Sequence, residues 1–379
     1  MISKNYVSSI AILVSAVVGV GMFTLPYVGM KAGILTMIFY FLVLGGVQHW
    51  FHKLYAEIVL STKKQHRLPG YAEKYLGIKS KRLLLVLTMF AGYGALLAYT
   101  IIGGDFLFQL LSPLFGGTVF FYTALLLALR SLVIFFGLSW VTRGEVILTG
   151  GLIGTMLIIG AVATDGAMAS NITLFNPGNF MLPYGPIFFA VGGILAVNDI
   201  CLVMKKEKQR IQSALRVGLI ISISLIALFT ITVMSLSGAQ TSPDGLGGLR
   251  SFIDPLFYNV LLAVGIVTVT TSFFAMAEAL EETYVWDFNI NRRIAWLLVS
   301  TVPFILYYIG AQDVTKVIAL TGAISGGLLG AFYLVLALRA KLKPELDSPI
   351  KVHLTPAIAY AATALLIIGL GYQLIEIFG

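Results

Sequence analysis

The chain has 379 residues, of which 58% are apolar and only 11% charged, against about 45–50% and about 25% in soluble globular proteins. Together with a mean hydropathy of +0.94, this excludes the soluble, disordered and fibrous classes and leaves an integral membrane protein. The net charge of +8, from 25 Lys and Arg against 17 Asp and Glu, has to be read from its distribution before it is assigned to nucleic acid.

A bilayer core of about 30 Å needs about 20 apolar residues per helix. Eleven segments qualify: 6–30, 33–60, 83–112, 118–139, 145–166, 183–204, 212–237, 257–281, 293–310, 316–340 and 355–377. None shows the strict alternation of a barrel strand. The first begins almost at once, after Lys4, with no small-residue cleavage signature, and reads as a retained span rather than a signal peptide. With the N-terminus inside, every Lys and Arg except Lys31, Arg250 and Lys316 falls on the inner side. The positive-inside rule then predicts a cytoplasmic N-terminus and an extracytoplasmic C-terminus in the cell membrane, and the basic excess is an inner-leaflet ring with no nucleic-acid partner.

The first span reads Ser15, Ala16, Val17, Val18, Gly19, Val20, Gly21, Met22, Phe23, Thr24, Leu25, Pro26, Tyr27. Two mid-span glycines with a proline five residues on predict a broken helix, tolerated at membrane depth only against protein or a polar cavity. Leu68 to Gly77, in the connection 61–82, predicts a short interfacial helix ended by Gly77. In the third span Tyr93 and Tyr99 lie near the middle, and Asp105 follows Gly103 and Gly104. Arg130 lies within the fourth span. The fifth holds no Lys or Arg over Gly144–Asp165. The sixth repeats the oddity of the first, with Gly192 and Gly193 mid-span behind Phe188, Phe189, Ala190 and Val191. Breaks in spans one and six are the signature of a 5+5 inverted repeat. One transmembrane domain over 1–379 is expected: repeat one at about 5–166, repeat two at about 183–340, and an extra helix at about 355–377.

Residues 238–256, with Pro243 and several glycines, read as a flexible external loop. Asp199 and Glu278 are candidate inner gate residues, whereas Glu57, Glu281 and Glu282 read as solvated at the inner surface. In span ten Ser325, between Gly322 and Gly326, is a candidate vestibule residue.

The two breaks have a chemical use. Span one runs outward, so its second half starts near Gly21 with unpaired N–H groups and a positive dipole end, suited to a carboxylate. Span six runs inward, so its first half ends at Val191–Gly193 with carbonyls and a negative end, suited to an ammonium. Together they would hold an α-amino acid zwitterion without charged side chains. Span eight adds Thr268, Val269, Thr270, Thr271, Ser272. The Thr271 and Ser272 hydroxyls, the Thr268 carbonyl and carbonyls of Ser15 and Val18 would give a hard cation five oxygens.

Gly19 to Tyr27, followed by Ala32-Gly33, resembles the first helix of the amino acid/auxin permease branch of the amino acid–polyamine–organocation superfamily. Phe188–Asp199 and the Leu68–Gly77 helix are similar too. The resemblance implies an all-α LeuT-type fold of eleven transmembrane helices, with helices 1 and 6 broken and one helix added at the C-terminus. It implies substrate contacts at Gly19, Val20, Gly21, Met22, Tyr93, Phe188, Phe189, Ala190, Gly192 and Gly193. It also implies a sodium site at Ser15, Val18, Thr268, Thr271 and Ser272, and gating by Tyr99, Asp199, Glu278 and Ser325. The expected activity is symport of a neutral L-amino acid, aromatic side chains included, by a monomer in lipid, without a cofactor. Sodium is the expected coupling ion because no Lys stands in span five, where some proton-coupled relatives carry one. Proton coupling stays the alternative, since bacterial aromatic permeases of this branch are regarded as proton symporters.

Other classes fit less well. One Cys (Cys201) and four scattered His cannot build a metal cluster or a disulfide. His49, His52, His66 and His353 read as at or beyond the inner membrane edge. No GxxxxGK[ST] loop, Gly-x-Ser-Gly or Gly-x-Gly-Asp motif is present, so no enzyme is expected. A channel lacks a filter motif here, and an amino-acid sensor would carry a long soluble tail.

Overall fold

The computed structural model describes residues 3–64, 66–136 and 167–378, with Gly150 and Gly154. Among these the chain is helical. Helix α1 (Lys4–Val17) starts at Ser3, whose hydroxyl accepts the Tyr6 amide. It gives way to α2 (Gly21–Ala32) at a bend of 58°. Pro26 sits inside α2 without ending it. Gly33 ends it instead, at φ +91°, where a Cβ would press on the Phe175 backbone. Helix α3 (Ile34–Ser61) is followed by the short α4 (Leu68–Leu76), which opens on Pro69 and stops at Gly77, φ +89°. Helix α5 (Ile78–Phe115) is the longest, with 38 residues, and α6 (Val119–Phe136) runs back along it. The expected fifth span, 145–166, lies outside the described residues apart from the two glycines.

The expected sixth span is a pair of short helices, α7 (Tyr184–Ala190) and α8 (Ala196–Val203). Then follow α9 (Ile211–Ser237), α10 (Pro255–Asp287), α11 (Arg292–Tyr308), α12 (Val314–Ile324), a π-turn (Ser325–Leu329), α13 (Gly330–Leu342) and α14 (Pro356–Phe378). Asp254, Asn291 and Asp313 cap α10, α11 and α12 by accepting first-turn amides. Among the described residues seven spans, or eight with the bent α1–α2 pair, are long and apolar enough to cross a membrane. The chain is multi-pass.

Many glycines serve packing, not breaks. A Cβ at Gly94 would overlap Thr321, one at Gly104 would overlap Thr123, and one at Gly322 would overlap the Gly185 carbonyl. Small residues thus bring α5 onto α12 and α6, and α12 onto α7. The connection between α9 and α10, expected to be flexible, is pinned. Asp244 accepts the Gln109 amide at 2.6 Å and the Gly247 N–H at 3.1 Å, and Gly245 packs on the Phe23 carbonyl at the start of α2.

Candidate functional site

The two broken spans meet. Helix α1 ends because Val18 turns extended (φ −78°, ψ 95°). Helix α2 restarts at Gly21, with the Met22 and Phe23 amides donating to the Gly19 and Val20 carbonyls at 3.2 and 3.1 Å. Among the described residues the amides of Gly19 and Val20 donate to no backbone carbonyl. Opposite them, α7 ends at Ala190, and Gly193 takes φ +109° before α8 starts. A Cβ at Gly21 would lie 2.8 Å from Ala190 Cα and 2.9 Å from Phe189 Cδ1, and one at Gly193 would lie 2.7 Å from Val17 Cγ2. The start of α2 therefore abuts the end of α7. Met22 and Phe188 are buried, and the Phe188 ring covers Gly326 in the π-turn that Ser325 opens.

Three carbonyls in the last turn of α7 already accept a hydrogen bond. Ile187 accepts Val191 N–H at 2.9 Å, Phe189 accepts Gly192 N–H at 3.3 Å, and Phe188 accepts Gln48 Nε2 of α3 at 3.5 Å. An ammonium would share these oxygens, each of which has two lone pairs. Gln48 was missed in the sequence. Its only signal is one amide at the end of the largely apolar run Ile34–Val47.

The α10 hydroxyls divide. Ser272 Oγ lies 3.6 Å from where a Cβ on Gly19 would stand, and it is within hydrogen-bonding reach of the Tyr99 hydroxyl. Thr268 and Thr271 bond back to their own helix, Thr268 to the Val264 carbonyl (2.8 Å) and Thr271 to the Thr268 carbonyl (2.9 Å). Ser15 stands on the last turn of α1, three residues before buried Val18. The structure thus brings Ser272, Tyr99 and the first break together. Tyr93 turns elsewhere, its hydroxyl 2.8 Å from that of Tyr284 near the far end of α10.

Arg130 is fully buried between α5, α6 and α10. It donates to Thr270 Oγ1 from Nε (3.2 Å) and Nη2 (2.8 Å) and to the Tyr99 carbonyl from Nη1 (3.0 Å), and it lies 5.0 Å over the Phe273 ring. Among the described residues no carboxylate pairs with it. A buried, unpaired charge in a membrane helix is costly and marks a functional position. The sequence shows the charge but not that it touches the residues flanking Tyr99 and Ser272.

At the α4 end of the bundle, polar contacts tie the helices together. Arg67 pairs with Glu282 at 2.5 Å and lies over the Trp286 ring, and Asn198 of α8 donates to the His66 carbonyl at 2.9 Å. Asp199 acts electrostatically on Glu282, and Glu278 on both Glu281 and Glu282. The acids expected to be solvated are paired. Glu281 is buried and reaches Arg292 at 4.0 Å, and Glu57 receives Lys341 Nζ at 2.7 Å and the Val352 amide at 3.2 Å. Lys74 hydrogen-bonds Glu345 at 2.6 Å, and with the Lys63 amide it holds that carboxyl below its ordinary range.

Helix α3 runs Ile34–Ser61, so at 1.5 Å per residue His49 and His52 stand about 2 and about 7 Å from its midpoint.

The chain belongs to the tryptophan/tyrosine permease family, whose model matches residues 2–369. No curated protein matches it in sequence. Among solved structures it is similar to MHP1, a nucleobase-cation-symport-1 family transporter in a closed conformation with bromovinylhydantoin bound. That likeness has a TM-score of 0.65 at 12% identity over 99% of this chain and 94% of that one. It is also similar to MhsT in complex with L-phenylalanine, with a TM-score of 0.63 at 14% identity over 99% of both chains. At such identities the likeness is one of fold, the LeuT-type transporter fold. The protein is a membrane transporter, not an enzyme.

Proposed function

We propose that this permease is a secondary symporter that moves a neutral aromatic L-amino acid across the cell membrane by alternating access. The observation that carries this reading is the abutment of Gly21 on Ala190 and Phe189. Among the described residues the amides of Gly19 and Val20 beside this contact donate to no backbone carbonyl. These amides would take the substrate carboxylate and the carbonyls at the end of α7 its ammonium. Gly192 and Gly193 leave the second break without side chains, and Phe188 and Phe189 offer aromatic faces to an aromatic side chain. The protein works as a monomer in lipid, with the N-terminus cytoplasmic and the C-terminus extracytoplasmic.

Sodium is the proposed coupling ion, held by Ser272 and Thr271 hydroxyls with the Thr268, Ser15 and Val18 carbonyls. Ser272 facing Gly19 supports it. Proton coupling is the second reading, favoured by Arg130, a built-in cation beside Thr270 and therefore close to any sodium bound one residue along α10. Tyr99 would close over the site. Tyr93, Asp199, Glu278 and Arg67 would belong to the inner gate, and Ser325 to the outer vestibule.

The test is uptake of radiolabelled L-tryptophan, L-tyrosine and L-phenylalanine into proteoliposomes under imposed sodium or proton gradients. Accumulation above equilibrium driven by either gradient supports symport. Currents without accumulation would mean a channel, and binding without flux a sensor.

A further inference from the structure

Helix α14 turns most of its surface outward, with Leu365, Ile368 and Ile375 exposed. Its buried residues are Ala359, Leu366, Gly369, Leu370 and Gln373, which fall on one stripe at helical spacing. That stripe docks on α7 and the π-turn. A Cβ on Gly369 would press on the Tyr184 ring at 2.5 Å, and one on Gly327 would press on Leu370 Cβ at 2.8 Å. The Tyr184 hydroxyl donates to the Leu366 carbonyl at 3.0 Å, and the Gly185 N–H donates to Gln373 Oε1 at 3.0 Å.

Gln373 meets a need that α7 creates. The first amides of a helix have no partner within it. At α7 two of the positions are Pro183 and Pro186, which carry no N–H. The Tyr184 N–H donates to the Met181 carbonyl at 3.1 Å and the Ile187 N–H to the Pro183 carbonyl at 2.9 Å. The Gly185 N–H is left, and Gln373 accepts it. Gln373 is the one side-chain amide in α14 and is buried. A polar group inside a membrane span is costly and marks a functional position. Tyr184 carries the tie toward the second break, since its ring stands edge-on to that of Phe188 at 5.5 Å.

The other half of the broken span docks elsewhere. Helix α7 packs on α12, α2 and the π-turn, whereas α8 packs on α1 and α3, with Asn198 donating to the His66 carbonyl. Gly193, at φ +109°, lies between the two halves. We propose that Gln373 is a positioning residue for the substrate. With Tyr184 it locks α7 to α14 and so fixes the carbonyl end at Phe188–Ala190, while α8 turns about Gly193 in the transport cycle. The lock stands on the contacts of α7 with α14; its role in transport rests on the symport reading.

The experiment compares Gln373→Met, which keeps the length and loses the acceptor, with Gln373→Glu, which keeps an acceptor oxygen. Amide exchange of the full-length protein in lipid nanodiscs is followed by mass spectrometry, and L-tryptophan uptake is measured in proteoliposomes. A hydrogen bond between membrane helices is worth about three- to tenfold in an equilibrium. Gln373→Met should therefore speed exchange in α7 by about three- to tenfold and leave α8 as in wild type, and Gln373→Glu should restore α7. The KM for L-tryptophan should rise by about the same factor in Gln373→Met, with the maximal rate changed less than about twofold. If Gln373→Met does not fold, Tyr184→Phe, which strips the bond to Leu366, should show the same pattern. Unchanged exchange in α7, equal acceleration in α7 and α8, or faster exchange in α7 with an unaltered KM would each overturn the proposal. Absence of wild-type uptake for every amino acid, with α7 exchange still raised in Gln373→Met, would sink the symport reading and leave the lock standing.

Discussion

Gly21→Ala is the sharpest test of the two-break site. The added methyl would sit 2.8 Å from Ala190 Cα, 2.9 Å from Ala190 Cβ and 2.9 Å from Phe189 Cδ1. Carbon atoms pack at about 3.5–4.0 Å, so α2 and α7 must separate by roughly 0.7 Å or more. Two of the three atoms belong to backbone or to a Cβ, so rotamer change cannot relieve the clash. Overpacking of this kind costs about 1–3 kcal/mol, equivalent to about 5- to 150-fold in an equilibrium that requires the two breaks to touch. The assay is saturation binding of radiolabelled L-tryptophan to purified protein, with melting temperature measured alongside. Gly46→Ala is the control. Gly46 is helical with open space around it, and there alanine should be neutral or stabilising by up to about 1 kcal/mol. An unchanged Kd in Gly21→Ala at an unchanged melting temperature would show that the breaks do not form the site.

Further outcomes follow from the same geometry. Thr271→Ala combined with Ser272→Ala should abolish most of the sodium dependence of uptake; unaltered dependence would pass the coupling role to protons. Thr270→Val strips two donated bonds from the buried Arg130 guanidinium and should lower stability by about 2 kcal/mol, read by thermal unfolding in detergent. Arg67→Ala should change stability by less than about 1 kcal/mol, because Arg67 is half-exposed. If the pair latches the inner gate, this variant should still speed amino-acid exchange, and a rate equal to wild type would remove it from the gate. For Glu345, whose carboxyl is held low by Lys74 and Lys63, the tie to α4 holds above about pH 4.5 and is lost as pH falls below it. Limited proteolysis across that range should show α4 loosening on acidification in wild type and no such dependence in Glu345→Gln.

The sequence carried the membrane class, because helices that shed their water must be apolar throughout and the spans have no other way to exist. It carried the break positions for the same local reason. Gly19 lies between α1 and α2, Gly21 opens α2, and Gly192 and Gly193 lie between α7 and α8, because a backbone without Cβ is where a helix stops most cheaply. It also carried the α4 helix, whose Pro69 and Gly77 mark start and stop within the segment itself.

What it could not carry were contacts between segments far apart in the chain. Periodicity cannot say that Gln48 meets the Phe188 carbonyl, that Arg130 is held by Thr270 and the Tyr99 carbonyl, or that Tyr99 rather than Tyr93 reaches Ser272. Nor can it say whether a glycine breaks a helix or admits a neighbour: Gly94, Gly104 and Gly322 read like Gly19 in the sequence, yet they sit in unbroken helix beneath Thr321, Thr123 and the Gly185 carbonyl. Composition and backbone chemistry thus determined where the chain enters the membrane and where it breaks. Packing decided which breaks face each other and which polar groups are left without a partner, because those depend on how helices distant in sequence come together.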